Sequence, residues 1–129
     1  MRKALYQYLT ANCQSVKTWK QPYQADASTP KPYGVILFGE RPRSPFNRRG
    51  VFQDVTIWVY FQPGSYLLVD AAVAEIKALL SGPNGTGKVL TTEDGRDFLI
   101  EWNQDGRDFH DDVLQALAKR IDFTIPLGG

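Results

Sequence analysis

The 129-residue chain, 43% apolar and 22% charged, has the size and composition of one folded domain. It lacks both the polarity of a disordered chain and the run of about 18 apolar residues that spans a membrane. A lone cysteine, Cys13, excludes an intrachain disulfide and supplies no metal-ligand spacing. The formal net charge of +1 hides an uneven distribution. Residues 31–49 carry Lys31, Arg41, Arg43, Arg48 and Arg49 against one acid, Glu40, whereas residues 93–112 carry eight acids against Arg96 and Arg107.

The amino terminus, Met1-Arg2-Lys3, leads into an amphipathic stretch and not the apolar core of a signal peptide, so the expected site of synthesis and assembly is the cytoplasm. Ala4, Leu5, Tyr8, Leu9 and Cys13 recur at helical spacing and predict a short helix over 3–13 that buries one stripe. Pro22, Pro30 and Pro32, with Ser28 and Thr29, make 20–32 a loop that separates this helix from the sheet.

Residues 33–40, rich in Val, Ile, Leu and Phe and bounded by Pro32 and Pro42, predict a buried strand. Residues 41–50, with two prolines and four arginines, predict an exposed basic loop. Over 51–61 the pattern alternates: Val51, Val55, Ile57, Val59 and Phe61 on one face, Phe52, Asp54, Thr56, Trp58 and Tyr60 on the other. Phe52, Trp58 and Tyr60 are too aromatic for a solvated face, so a cover is expected, either the domain's own helix or a subunit interface.

Ser65 has the chemistry of an N-cap. Leu68, Ala72, Ile76, Leu79 and Leu80 then share a helical face until Gly82-Pro83 stops the helix. Strands over 88–92 and 97–102 flank Asp94-Gly95, a tight-turn dipeptide. The pentapeptide Asp-Gly-Arg-Asp-Phe occurs at 94–98 and again at 105–109, which predicts two successive turns of a meander. The last segment fits a helix through Val113, Leu114, Leu117, Ala118 and Ile121, or a strand through Leu117, Ile121, Phe123 and Ile125. A strand is favoured at least over 121–126, leaving 112–120 open between helix and strand. The fold class that follows is α+β in a single domain, 1–129: a mixed, largely antiparallel sheet flanked by an N-terminal and a central helix and closed by a C-terminal meander.

No motif for catalysis survives its context. Gly82 to Lys88 copies most of a phosphate-binding loop, but a helix precedes it, a strand follows it, and Val89 stands where a Ser or Thr would hold magnesium. His110 sits among Asp105, Asp108, Asp111 and Asp112 without the alternation of a calcium loop, and these aspartates read as turn and cap formers. Cys13, on an apolar helix face, reads as inert core and not as a nucleophile paired with His110. The sequence therefore predicts no enzyme, no cofactor and no metal site.

The arginine loop offers Phe46 for stacking and cations for phosphate, yet near-zero net charge makes nucleic-acid contact a weak expectation. The acidic segment is its partner of opposite sign. Pairing the two between neighbouring copies, head to tail, closes a ring where the rotation allows. On this reading the interface residues are Arg41, Arg43, Arg48 and Arg49, Trp58 and Tyr60, and Asp94, Asp105 and Asp108.

Five stretches carry a resemblance: the N-terminal helix; Lys31-Pro32-Tyr33-Gly34-Val35-Ile36-Leu37 before a long loop; Gln53-Asp54-Val55-Thr56-Ile57-Trp58-Val59-Tyr60; the helix over 69–80; and Ile121-Asp122-Phe123-Thr124-Ile125-Pro126. In order and size they resemble the tail terminator, or tail-to-head joining, proteins of long-tailed bacteriophages and prophages. The resemblance implies a non-enzymatic structural protein of the virion, a hexameric ring that caps the tail tube and mates it to the head connector. Its partners are then other copies of itself, the tail tube protein and the connector, with no membrane. The alternatives are another head-to-tail connector or minor tail protein and, in a different class, a small nucleotide- or nucleic-acid-binding domain.

Overall fold

The structure, a computed structural model, describes residues 2–20, 31–39, 52–64, 66–82, 87–111 and 116–126, without the side chains of Phe52, Arg107, Phe109, His110 and Asp111. In chain order its elements are α1 (Arg2–Asn12), β1 (Thr18–Lys20), β2 (Tyr33–Phe38), β3 (Phe52–Phe61), α2 (Tyr66–Ser81), β4 (Lys88–Thr91), β5 (Asp97–Asp111) and β6 (Ala116–Pro126). The six strands form one sheet in the order β1-β2-β3-β6-β5-β4. The β1–β2 pair is parallel and every other pair antiparallel, so the architecture is the expected α+β sheet with two helices.

The alternation of β3 fixes how the sheet is used. Val55, Ile57 and Val59 are fully buried, and they join Leu5 and Leu9 of α1 and Val69, Ala72, Ile76 and Leu80 of α2 in one core. Burying a Val or Ile side chain contributes about 1.5–3 kcal/mol, and a one-residue slip would move all of them to the wrong face, so the register with β2 and β6 is tightly specified. Both helices therefore cover the same face.

On α2 the buried stripe runs Val69, Ala72, Val73, Ile76 and Leu80. The expected stripe is right from Ala72 onward and one residue out at its start: Leu68 is 61% exposed, because Val69 has the i, i+4, i+7 spacing to Val73 and Ile76. Gly82, at a φ of 66°, ends the helix, and the chain enters β4 from Gly87, the helix-to-strand connection expected of 82–88.

Three expectations need correction. The loop expected over 20–32 does not include its first residue: Lys20 closes β1 (Thr18–Lys20), a strand not predicted, which pairs with β2 and brings the chain onto the sheet soon after α1. The second pentapeptide is not a turn, because 105–109 lies inside β5, at register shifts between Trp102 and Gln104 and between Asp105 and Asp108. The ambiguous final segment is extended from Ala116, so the helical alternative is excluded for 116–120. The Ser65 cap and the arginine loop lie outside the described residues, as do 112–115.

Candidate functional site

Trp58 and Tyr60 point to the face of the sheet opposite α1 and α2, which carries no helix among the described residues. Tyr60 stands opposite Tyr33 in the β2–β3 ladder and their rings stack at 4.8 Å; the Trp58 ring lies 6.3 Å from that of Tyr60. The expectation that the domain's own helix covers these residues is overturned, since α1 and α2 both bury the alternate residues of β3. Beside the aromatic row the same face turns polar. Asp122 accepts from Thr56 Oγ1 at 3.2 Å and from Gln104 Nε2 at 2.9 Å, and its Oδ2 lies 3.4 Å from Arg120 Nε.

The three acids expected at an interface are already partnered within the chain. Asp94, in the β4–β5 turn, accepts from the Thr92 hydroxyl and lies 3.2 Å from Arg96 Nε. The Thr92 hydroxyl chiefly holds its carboxyl below the usual range; desolvation opposes this, and Arg96 adds a smaller lowering. Asp105 and Asp108 sit on the helix side of β5. Asp105 Oδ2 is 3.2 Å from Lys77 Nζ of α2, and Asp108 Oδ1 is 3.6 Å from Lys119 Nζ, which also meets Asp70 at 3.3 Å. Burial acts to lower the Lys119 pKa, but the two carboxylates outweigh it and hold it above the ordinary value. The fold thus brings Asp105 and Asp108 together along one strand and leaves Asp94 apart, in a turn. Arg41, Arg43, Arg48 and Arg49 are outside the described residues.

Beside Asp105 is a residue that sequence reasoning passed over. Trp102 is 45% exposed, yet its indole N–H donates to Asp105 Oδ1 at 3.0 Å and Lys77 Nζ lies 4.4 Å from the ring centre. The alternation Phe98, Ile100, Trp102 carried the signal: it puts Trp102 on the helix side, where the Lys77 side chain reaches over it from α2. An aromatic ring held in one orientation at the surface loses little entropy on contact, the property of an interface anchor.

The residues considered for chemistry are otherwise engaged. Lys88 opens β4 and holds its Nζ 5.5 Å from the Tyr8 ring centre, and residues 83–86 of the glycine-rich loop lie outside the described residues. Cys13 is fully buried and donates to Glu75 Oε1 at 2.9 Å, and that oxygen also accepts the backbone N–H groups of Gln14 and Ser15, each at 2.8 Å. Burial and the Glu75 carboxylate push the Cys13 thiol up to about 11. Burial alone would raise the Glu75 pKa, but its hydrogen bonds from Cys13, Ser15 and Gln14 together bring it below the ordinary value. The shared oxygen ties the α1–β1 bend to α2, which is a structural role. The His110 side chain is outside the described residues, and among those described no three His, Cys, Asp or Glu side chains are grouped to hold a metal ion.

No helix among the described residues is long and apolar enough to cross a membrane. The sequence matches no protein-family model and no curated protein. Contact chemistry at the described surface comes from an oriented, half-exposed Trp102 and from exposed Leu67 and Leu68 at the start of α2, while the aromatic row on the face opposite α1 and α2 includes the fully buried Tyr33.

Proposed function

We propose that the protein is a structural component of a phage or prophage virion, a ring-forming subunit at the end of the tail tube that terminates tail growth and joins the tail to the head connector. The observation that carries this reading is how the five stretches bearing the resemblance come together. β2, β3 and β6 are adjacent in the sheet, and α1 and α2 lie over the same face of them. The five stretches thus pack as one α+β unit, which is compatible with the resemblance. A subunit of this kind binds protein on several sides and turns over no small molecule.

The test is the solution mass by light scattering across a range of protein and salt concentration, together with binding to isolated tail tubes. A hexamer-sized species, or a monomer that assembles on tube ends, is the expected outcome. A strict monomer that also ignores tail tubes would sink the proposal.

A further inference from the structure

The sheet is open along part of one side. β5 runs from Asp97 to Asp111, and β4 pairs with it only from Asp97 to Ile100. Among the described residues no strand lies against the outer edge of 101–111, about 35 Å of backbone. Solvent reaches it: Trp102, Asn103, Gln104, Asp105 and Asp108 are all exposed. The stretch contains no proline, so every residue brings a backbone N–H as well as a carbonyl, the template for a further strand. Trp102 stands at its start, held by its indole N–H on Asp105 Oδ1 and by Lys77 Nζ at 4.4 Å from the ring centre.

Charge at this margin selects the partner. Four described carboxylates, those of Asp70, Glu101, Asp105 and Asp108, stand there against two ammonium groups, those of Lys77 and Lys119. Lys77 is taken by Asp105, Lys119 is shared between Asp70 and Asp108, and no described residue forms an ion pair with Glu101. Arg120, behind Gly106, lies against Asp122, and Arg107 and Asp111 add one charge of each sign. The margin therefore carries an excess of negative charge that an incoming cation would relieve.

The edge itself disfavours a second copy of the sheet as occupant. A second β5 would set Glu101, Asp105 and Asp108 against their own copies. Register shifts between Trp102 and Gln104 and between Asp105 and Asp108 bend β5, so a preformed flat strand cannot follow it, whereas a segment with no sheet of its own can. The described edges that another copy could offer are short, three residues in β1 and four in β4, and the Lys20 carbonyl of β1 already accepts the Tyr6 hydroxyl at 2.8 Å.

We infer that the outer edge of β5, residues 101–111, takes up an extended basic segment of a partner protein as an added strand, anchored on Trp102. The backbone ladder supplies affinity, and arginine or lysine side chains of the segment meet Asp105 and Asp108 on the helix side and Glu101 on the other. This edge is independent of the ring proposed above.

The test uses the full chain and a blocked peptide alternating arginine and threonine, long enough to span the edge. Two controls accompany it: the same peptide with glutamate for arginine, and the arginine peptide N-methylated at alternate residues, which keeps its charge and loses the backbone donors. Saturable binding of the unmethylated arginine peptide alone is expected, weakening as salt rises, with amide exchange slowed only over 101–111. Trp102→Ala is expected to weaken binding about tenfold and Glu101→Lys several-fold, with circular dichroism melts to confirm that both fold. No binding, equal binding of either control, or protection elsewhere would overturn the added strand, and since the three peptides are compared on wild type, a variant that fails to fold does not disturb that result. Protection of 101–111 that rises with protein concentration and no peptide present would put a second copy at the edge and overturn it as well.

Discussion

The same five residues, Asp-Gly-Arg-Asp-Phe, build a turn and the first two residues of a strand at 94–98 and the interior of that strand at 105–109. The first copy is closed by local bonds: Thr92 N–H to the Arg96 carbonyl at 2.8 Å, Gly95 N–H to the Thr92 carbonyl at 3.0 Å, and Gly95 itself at a φ of 85°. The second is held from outside, by β6 through Asp105 opposite Ile121 and Asp108 opposite Lys119, and by Lys77 from α2. A pentapeptide states a turn preference; whether the preference is honoured depends on whether a neighbouring strand offers a longer ladder.

Substitutions at the two glycines should separate local from remote control most sharply. A Cβ at Gly106 would fall 2.8 Å from Arg120 Cβ and 3.1 Å from the Arg120 carbonyl oxygen, whereas one at Gly95 meets nothing within 4 Å. Gly106→Val is therefore expected to cost about 1–3 kcal/mol in urea denaturation, through overpacking against β6. An unchanged midpoint would mean the second copy is as open as the first.

Remote control also holds the α1–β1 bend, so Glu75→Ala should cost about 1–2 kcal/mol at neutral pH by removing an acceptor shared by three donors. The folded Glu75 pKa lies below its unfolded value, so this stability is present above the unfolded pKa and is lost as pH falls through the folded one. Wild type and variant should converge in acid; a gap that persists at pH 2 would assign the loss to packing.

Gly95→Ala should cost about 1 kcal/mol, purely from the left-handed backbone, and Gly95→Asn less, since Asn tolerates that region. Smaller still is Lys77→Ala, at about 0.5–1 kcal/mol for a half-exposed ion pair and ring contact. A double-mutant cycle with Asp105→Asn should show coupling there. Asp94→Asn is expected to leave the melting temperature unchanged, which calorimetry checks, because its partners lie within its own turn.

The parts of the fold legible in the sequence are those whose information is local: the alternation of β3, the Gly82 stop of α2, and the Asp94-Gly95 turn. β1 was illegible because three residues carry no periodicity; Thr18–Lys20 is a strand only because β2 lies beside it, with Trp19 across from Gly34. Of the candidate site, the aromatic row on β3 could be read from alternation, but not which face the helices choose. Asp105 and Asp108 were found by charge, whereas their partners Lys77 and Lys119 come from elements 28 and 11 residues away and leave no local trace.

Cys13, sealed under α1 and bound to Glu75, gives the protein a clock of its own. In an open chain a thiol titrates near 8.5, so alkylating reagents at mildly basic pH attack this sulfur only in molecules whose α1 has lifted from the sheet. The rate of mass gain on the intact chain then counts those openings one by one, with no label engineered in. The proposed ring assembly, by clamping the subunit, should slow it.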